Sequence, residues 1–182
     1  MSNKQQEAIT AILNGENVFI TGSGGVGKSY IVNQLKTKDT VVVAPTGIAA
    51  MNVGGSTCHS AFALPIGIPT KADQFKGLNR VKSLAQVCDR VIIDEISMVR
   101  ADTLTLIDNK FRNALGVDKP FGGKQLVVVG DFFQLEPIVS SQEQEYFFEE
   151  YDSPFAFTID VWDTFKQIEL THVYRQEDKH QV

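Results

Sequence analysis

The chain contains short apolar stretches in which polar residues do not alternate with hydrophobic ones. Four of them are rich in β-branched residues and lie at 18–20, 41–44, 91–93 and 126–129. A strand that is apolar at every position must be covered on both faces, which is typical of parallel sheets packed between helices. The pattern therefore predicts four parallel strands in the interior of an α/β domain.

Between these stretches, apolar residues recur at helical spacing. Helices are predicted at Lys4 to Asn14, at Lys28 to Lys36, and after Asp102, which we expect to cap a helix that runs to Leu115. Alternating strands and helices predict a three-layer α/β fold with a mainly parallel sheet and right-handed crossovers. In such a fold, ligands bind at the carboxyl ends of the strands.

Two stretches interrupt this alternation. Residues 64–80 contain a Pro/Gly-rich segment and are expected to form a small loop insertion, and 115–123 is expected to be a polar loop. There is no internal repeat, so the 182 residues are expected to form one domain.

The composition limits the cellular location and the ligands that can be expected. The sequence contains no apolar stretch long enough to span a membrane and no secretory signal, and Cys58 and Cys88 have no CxxC partner. A soluble intracellular protein without zinc is expected, in the cytoplasm at the nucleoid in a bacterial or phage setting, with a nuclear location left open. The net charge of −5 restricts any nucleic-acid contact to a local groove, because phosphate contacts need Lys and Arg.

The first predicted strand leads into a phosphate-binding loop. Glycines allow successive backbone N–H groups to point at phosphate oxygens, and the helix that follows adds its positive end. Lys28 can reach the outer phosphates of ATP, and the Ser29 hydroxyl can complete the shell of a Mg²⁺ ion. The residues expected to bind the nucleotide here are Gly22, Ser23, Gly24, Gly25, Val26, Gly27, Lys28, Ser29 and Tyr30.

Two carboxylates follow the third predicted strand. Asp94 is expected to hold Mg²⁺ directly or through water, and Glu95 to orient and deprotonate the water that attacks the terminal phosphate. The pair predicts hydrolysis of the nucleotide in addition to its binding.

The fourth predicted strand ends in Gly130-Asp131-Phe132-Phe133-Gln134-Leu135. The amide of Gln134 could hydrogen-bond either the terminal phosphate or the attacking water, so its contacts would change on hydrolysis. A role as a turn-stabilising polar residue is the alternative.

Five ordered segments together resemble the motifs of Pif-type and RecD/Dda-like DNA helicases of superfamily one, type B. The resemblance covers nearly the whole chain, and Asp-Glu-Ile-Ser-Met favours the Pif-type branch. The segments are Thr46 to Ala50, Gly55 to Ser60, Asp94 to Met98, Gly130 to Leu135 and Leu170 to Gln176.

This resemblance implies a RecA-like ATPase that moves 5′ to 3′ along single-stranded DNA. It also implies that Gln5 reads the adenine edge and that Arg175 approaches the terminal phosphate. The residues implied to contact DNA are Pro45, Thr46, Gly47, Thr57, His59, Ser60 and Phe62. Phe62 could stack on a base or belong to the core, and His59 could bind DNA or serve as a structural hydrogen-bonding residue.

Motors of this family close two RecA-like domains on ATP, and the second domain supplies an arginine finger. No second domain is found in residues 1–182, so the chain is expected to be one motor domain of a longer helicase and not to unwind DNA alone. The partners implied are single-stranded DNA and the second RecA-like domain.

Two other functions compete with the motor. A nucleotide-dependent switch that recruits a protein partner without DNA agrees with the negative charge. A small-molecule kinase is disfavoured, because it would need lid arginines and has no use for the Gly-Asp-Phe-Phe-Gln segment.

Overall fold

The computed structural model describes residues 1–173, which contain six strands and seven α-helices. The strands are β1 (Val18–Thr21), β2 (Thr40–Ala44), β3 (Ser56–Thr57), β4 (Arg90–Ile93), β5 (Gln125–Val129) and β6 (Lys166–Glu169). The helices are α1 (Asn3–Leu13), α2 (Lys28–Leu35), α3 (Gly47–Asn52), α4 (Cys58–Phe62), α5 (Leu78–Val87), α6 (Ala101–Leu115) and α7 (Gln144–Glu150). Within residues 1–173, no helix has the length and apolar character needed to cross a membrane.

All neighbouring strands of the sheet are parallel, in the order β3-β2-β4-β5-β1-β6. Because β4, β5 and β1 are adjacent and point the same way, the segments that follow them meet at one edge. These segments carry the phosphate loop and the acidic residues, so the predicted α/β fold brings the candidate chemistry together.

Both faces of the sheet are buried, as the uninterrupted apolar runs predict. In β1, Val18 and Ile20 pack in one core with α1, α2 and α3, whereas Phe19 packs in the other with α4, α5 and α6. The three-layer arrangement is therefore confirmed, with the hydrophobic core divided by the sheet.

The elements that the apolar pattern did not predict are short or polar. Strand β3 has only two residues, and β6 buries only Ile168 among its four. Gly77 adopts a left-handed φ of +66° and α5 begins at Leu78, so the last residues of the expected 64–80 insertion are helical. The loop itself ends at Gly77.

The start of α6 differs from expectation. Arg100 is the capping residue by position, and Asp102 lies in the first turn. The Asp102 carboxylate accepts hydrogen bonds from the Arg100 guanidinium, at 3.0 Å from Nε and 2.5 Å from Nη2. The prediction of Asp102 as the cap is wrong because this ion pair occupies its side chain.

The 64–77 loop is tied to α6 by a buried cation. The fully buried Lys110 ammonium donates to the carbonyl oxygens of Ala63 at 2.9 Å and Lys76 at 2.6 Å. Within the loop, Asp73 accepts from the Thr70 hydroxyl at 2.6 Å and from Lys76 at 2.8 Å. The loop is thus anchored at both ends to the sheet-covering helix.

Candidate nucleotide site and adjoining groove

The phosphate loop uses its glycines for their backbone freedom. Gly22, Gly25 and Gly27 have φ values of +139°, +78° and +88°, a region that residues with a Cβ rarely adopt. Helix α2 then begins at Lys28, so its free N–H groups face the loop. This local geometry is that of an anion cradle.

The Lys28 ammonium lies over the loop. It donates to the carbonyl oxygens of Gly22 at 2.5 Å and Ser23 at 3.0 Å. Burial raises the pKa values of Asp94 and Glu95, and the Lys28 charge opposes that rise; for Asp131, whose pKa is lowered mainly by the Gln134 hydrogen bond, the Lys28 charge adds to the lowering. One cation therefore interacts electrostatically with carboxylates from two neighbouring strand ends.

The acidic pair sits in a constrained turn after β4. The Asp94 N–H donates to the Val43 carbonyl at 2.9 Å, and Glu95 has a left-handed φ of +54° that few non-glycine residues adopt. Burial, followed by the charge of Asp94, raises the pKa of Glu95. A carboxylate with a raised pKa is a stronger base, as proton abstraction from water requires.

The residues expected to hold Mg²⁺ supply suitable atoms. Ser29 offers a hydroxyl oxygen and Asp94 a carboxylate, whose pKa is raised by burial. The described part of the chain contains no cluster of three or more His, Cys, Asp or Glu side chains able to bind a metal. An ion here would take its remaining ligands from phosphates and water, which is how Mg²⁺ usually binds at nucleotide sites.

The turn after β5 brings an aspartate and a glutamine together. Asp131, only 8% exposed, accepts from the Gln134 Nε2 at 2.8 Å and from the Phe133 N–H at 3.0 Å. Gly130 packs so tightly on the turn after β4 that a Cβ there would lie 2.9 Å from the Ile96 side chain. Asp131 also lines a cavity of about 730 Å³ with Gly22 and Ser23.

Gln5 lies on the other side of the loop. Its buried side chain donates from Nε2 to the Val26 carbonyl at 3.3 Å and accepts at Oε1 from the Ser2 N–H at 3.0 Å. Gln5 and Tyr30 line a cavity of about 370 Å³ together with Met1 and Gly27. The structure thus brings Gln5 to the phosphate loop, next to space that a base could enter.

A groove lies beyond the ends of β2 and β4. Its volume is about 590 Å³, and its walls include Pro45, Thr46 and His59 of the expected DNA-contact residues. Thr46 and Thr57 each begin a short helix, and their side-chain oxygens accept the N–H groups of Ala49 and Ser60 at 3.2 and 3.1 Å. Gly47 is the first residue of α3.

Arg100 forms part of the groove wall and joins three segments. It pairs with Asp102 and with Glu143 at 3.2 Å, donates to the Gly67 carbonyl at 3.4 Å, and lies over the Phe147 ring. The sequence predicts no role for Arg100, since a single arginine between two elements carries no periodic signal.

Phe62 differs from the other residues expected to contact DNA. Phe62 is completely buried and packs edge-on against Phe111 at 5.6 Å, so its assignment as a base-stacking residue is wrong. Cys58, Ala61 and Phe62 follow helical core spacing, which explains the burial. Arg175 lies outside the described residues.

The sequence predicts no role for Asp131, but its carboxylate is the hydrogen-bond partner of Gln134. Its spacing of three residues from Gln134 in a turn was the available signal, because such spacing brings two side chains together.

Comparisons with known proteins agree with this geometry. A family model described as PIF1-like helicase matches residues 1–182. The ATP-dependent DNA helicase PIF1 of Xenopus laevis is 37% identical over 99% of this chain and 28% of its own length, and Pif1 of Psychrobacter sp. is 38% identical over 96% and 27%. The chain thus spans little more than a quarter of these curated relatives.

Solved structures give the same result. The crystal structure of a Bacteroides Pif1 helicase in complex with ADP-AlF3 and ssDNA has a TM-score of 0.87 at 39% identity, covering 98% of this chain and 43% of that one. A Pif1 helicase from Candida albicans has a TM-score of 0.77 at 34% identity, covering 97% and 41%.

Proposed function

The chain belongs to the PIF1-like helicase family, and we propose that it is the ATP-binding and ATP-hydrolysing motor domain of a helicase that moves 5′ to 3′ on single-stranded DNA and unwinds duplex. The observation that carries the proposal is the meeting of the phosphate loop, Glu95 and the Asp131–Gln134 turn at one edge of the sheet. A site of this composition can bind a triphosphate and activate water beside it.

In this proposal the phosphate loop binds ATP mainly through backbone N–H groups, and Lys28 exchanges its contacts with Gly22 and Ser23 for phosphate oxygens. Gln5 and Tyr30 border the space for the base. Ser29 and Asp94 would hold Mg²⁺, which when bound would supply positive charge against the phosphate oxygens.

Glu95 acts as the general base. Burial raises the pKa of its carboxylate above the ordinary value, and the charges of Asp94, Lys28 and Asp131 also act on it. It accepts a proton from the attacking water while Lys28 and the loop N–H groups stabilise the phosphate oxygens. Gln134 lies on the neighbouring strand end, where it can respond to the presence of the terminal phosphate.

Val173 lies beside the phosphate loop. A Cβ built on Gly25 would lie 3.9 Å from the Val173 side chain, two residues before Arg175. The role of Arg175 at the terminal phosphate stays a prediction.

Single-stranded DNA is proposed to lie in the groove lined by Pro45, Thr46 and His59. The Thr46 and Thr57 hydroxyls accept backbone N–H groups, which leaves their own protons to donate to phosphates. Gly47 and Ser60 belong to the same two helix starts. Hydroxyl donors and helix-start N–H groups can hold phosphates in a local groove, so the proposal does not require a broad basic surface on a chain of net charge −5.

A second RecA-like domain of the same full-length protein is the remaining proposed partner. It would close on ATP and supply the second phosphate-facing arginine, so this domain alone is expected to hydrolyse ATP weakly and not to unwind DNA.

The test is ATP hydrolysis by the complete protein with and without single-stranded DNA. The proposal predicts clear stimulation by DNA and strand separation with 5′-to-3′ polarity. Hydrolysis that DNA does not change, together with ATP-dependent capture of a protein partner, would instead support a nucleotide switch.

A further inference from the structure

The Gln134 amide is held by a group that can only accept hydrogen bonds. Its Nε2 lies 2.8 Å from a carboxylate oxygen of Asp131, and the other oxygen accepts the Phe133 N–H at 3.0 Å. The hydrogen bond from Gln134 and the N–H of Phe133 lower the pKa of Asp131, so the carboxylate is ionised at neutral pH. An ionised carboxylate cannot donate to the amide oxygen.

The ionised Asp131 carboxylate fixes the orientation of the Gln134 amide. If the side chain turned over, Oε1 would meet the carboxylate and two acceptors would repel each other. The charged bond therefore keeps the nitrogen on the side of Asp131 and turns Oε1 away from it.

The position of Asp131 is itself fixed. It is 8% exposed, and the preceding Gly130 is packed against the Ile96–Ser97 turn that follows the catalytic acid pair. A Cβ at Gly130 would lie 3.0 Å from the Ile96 nitrogen and 3.2 Å from the Ser97 nitrogen. Gly130, next to Asp131, thus packs directly against the turn that carries Glu95.

We propose that Asp131 is a positioning residue that sets the orientation of the Gln134 amide, so that Gln134 accepts a hydrogen bond from the attacking water through Oε1. Two functions of Gln134 were open, contact with the water or donation to the terminal phosphate. Asp131 engages one of the two Nε2 protons, and the fixed orientation presents Oε1 as an acceptor, which the attacking water can meet and a phosphate oxygen cannot. Donation of the second Nε2 proton to phosphate is the alternative that the double variant below tests. The inference rests on the proposed ATPase function and assigns the role of Gln134 within it.

The test uses the complete protein and a pair of exchanged side chains. In Asp131→Asn the partner can offer either an oxygen or an NH2 group, so the amide orientation is lost and kcat is expected to fall about tenfold with little change in KM for ATP. In Gln134→Glu two carboxylates face each other, and a similar or larger loss is expected.

The double variant D131N/Q134E restores a donor–acceptor pair with the polarity reversed. The amide introduced at position 131 can donate to one oxygen of the carboxylate introduced at position 134 and leave the other oxygen as an outward acceptor. We therefore expect kcat to recover by roughly fivefold or more over either single variant. A carboxylate cannot donate to phosphate, so if Gln134 acted as a phosphate donor the double variant would be as inactive as Gln134→Glu alone.

Thermal unfolding and ADP binding accompany each variant, with exposed Asp152→Asn as the control for loss of one carboxylate. Should Asp131→Asn fail to fold, the double variant, which retains the hydrogen bond, carries the test on its own. A wild-type protein without ATPase activity would refute the proposed function. An active wild type with an equally active Asp131→Asn variant, or a folded double variant without recovery, would overturn only the role of Asp131.

Discussion

The carbonyl oxygen of Leu170 lies against the backbone of Gly22, so closely that a Cβ at position 22 would come within 2.3 Å of it. The Leu170 N–H also donates to the Thr21 carbonyl at 2.8 Å. The first glycine of the phosphate loop is therefore required by the end of β6 as well as by its own φ of +139°.

We expect Gly22→Ala to lower the free energy of unfolding by about 2 kcal/mol or more and to abolish nucleotide binding, because a methyl group there meets backbone and not a flexible side chain. Chemical denaturation and titration with a fluorescent nucleotide measure the two effects. Gly24→Ala is the matched control for stability alone, since a Cβ at Gly24 meets no protein atom within 4 Å; Gly24 belongs to the expected nucleotide-binding loop and is no control for binding. A wild-type unfolding midpoint for Gly22→Ala would contradict the close packing.

Lys28 and Glu95 are expected to separate binding from turnover. Lys28→Ala removes the ammonium that lies over the loop and should weaken ATP and ADP binding. Glu95→Gln removes the base without removing a phosphate contact, so binding should remain while turnover falls by roughly a hundredfold or more. Equilibrium nucleotide binding and steady-state hydrolysis by the complete protein distinguish the two, and normal turnover by Glu95→Gln would exclude Glu95 as the base.

The buried Lys110 should contribute to stability. Lys110→Met fills a similar volume but leaves the carbonyl oxygens of Ala63 and Lys76 without their donor, so a loss of about 1–3 kcal/mol in unfolding free energy is expected. Lys82→Met, at an exposed position of α5, is the control and should change stability little. Equal stability of the two variants would show that Lys110 does not anchor the 64–77 loop.

We expect the stabilisation contributed by Glu143 to decrease at acidic pH. The hydrogen bond from the Ser140 hydroxyl has the largest effect and lowers the pKa of Glu143; burial opposes it, and the Arg100 guanidinium lowers the pKa further. A folded-state pKa below the unfolded value means that this stabilisation is complete above the unfolded value and is lost as the pH falls through the folded one. The difference in unfolding midpoint between wild type and Glu143→Gln should therefore shrink in acid, and a difference that stays constant with pH would show that the ionised Glu143 carboxylate does not stabilise the fold.

The sequence predicted the parts of the fold whose residues are buried on both sides. Strands such as β1 and β5 are continuous apolar runs, and the two cores divide their side chains as expected. Strands β3 and β6 were not predicted, because an edge strand of two residues or with one buried side chain has no periodic signal. The cap of α6 was misassigned because the ion pair that occupies Asp102 joins it to the preceding turn.

The candidate site was predictable where one residue type serves one chemistry. The positions of Lys28 over the loop and of Glu95 in the turn after a buried strand follow from residue type and position, whereas their catalytic roles stay predictions. The spacing of Asp131 and Gln134 in a turn indicates that the two side chains are near each other, but the bond itself depends on the turn geometry that places them 2.8 Å apart. For Phe62, base stacking and a core position were both open, and the structure places it in the core, as its helical spacing with Cys58 and Ala61 favours.

The two margins of the sheet also affect how the protein behaves at high concentration. One margin, β3, offers only two residues for pairing, and the other, β6, presents Lys166 and Glu169 to solvent. Short or charged margins discourage chains from adding to one another strand by strand. Edge strands of this kind therefore disfavour strand-by-strand association of a domain whose central strands are almost wholly apolar.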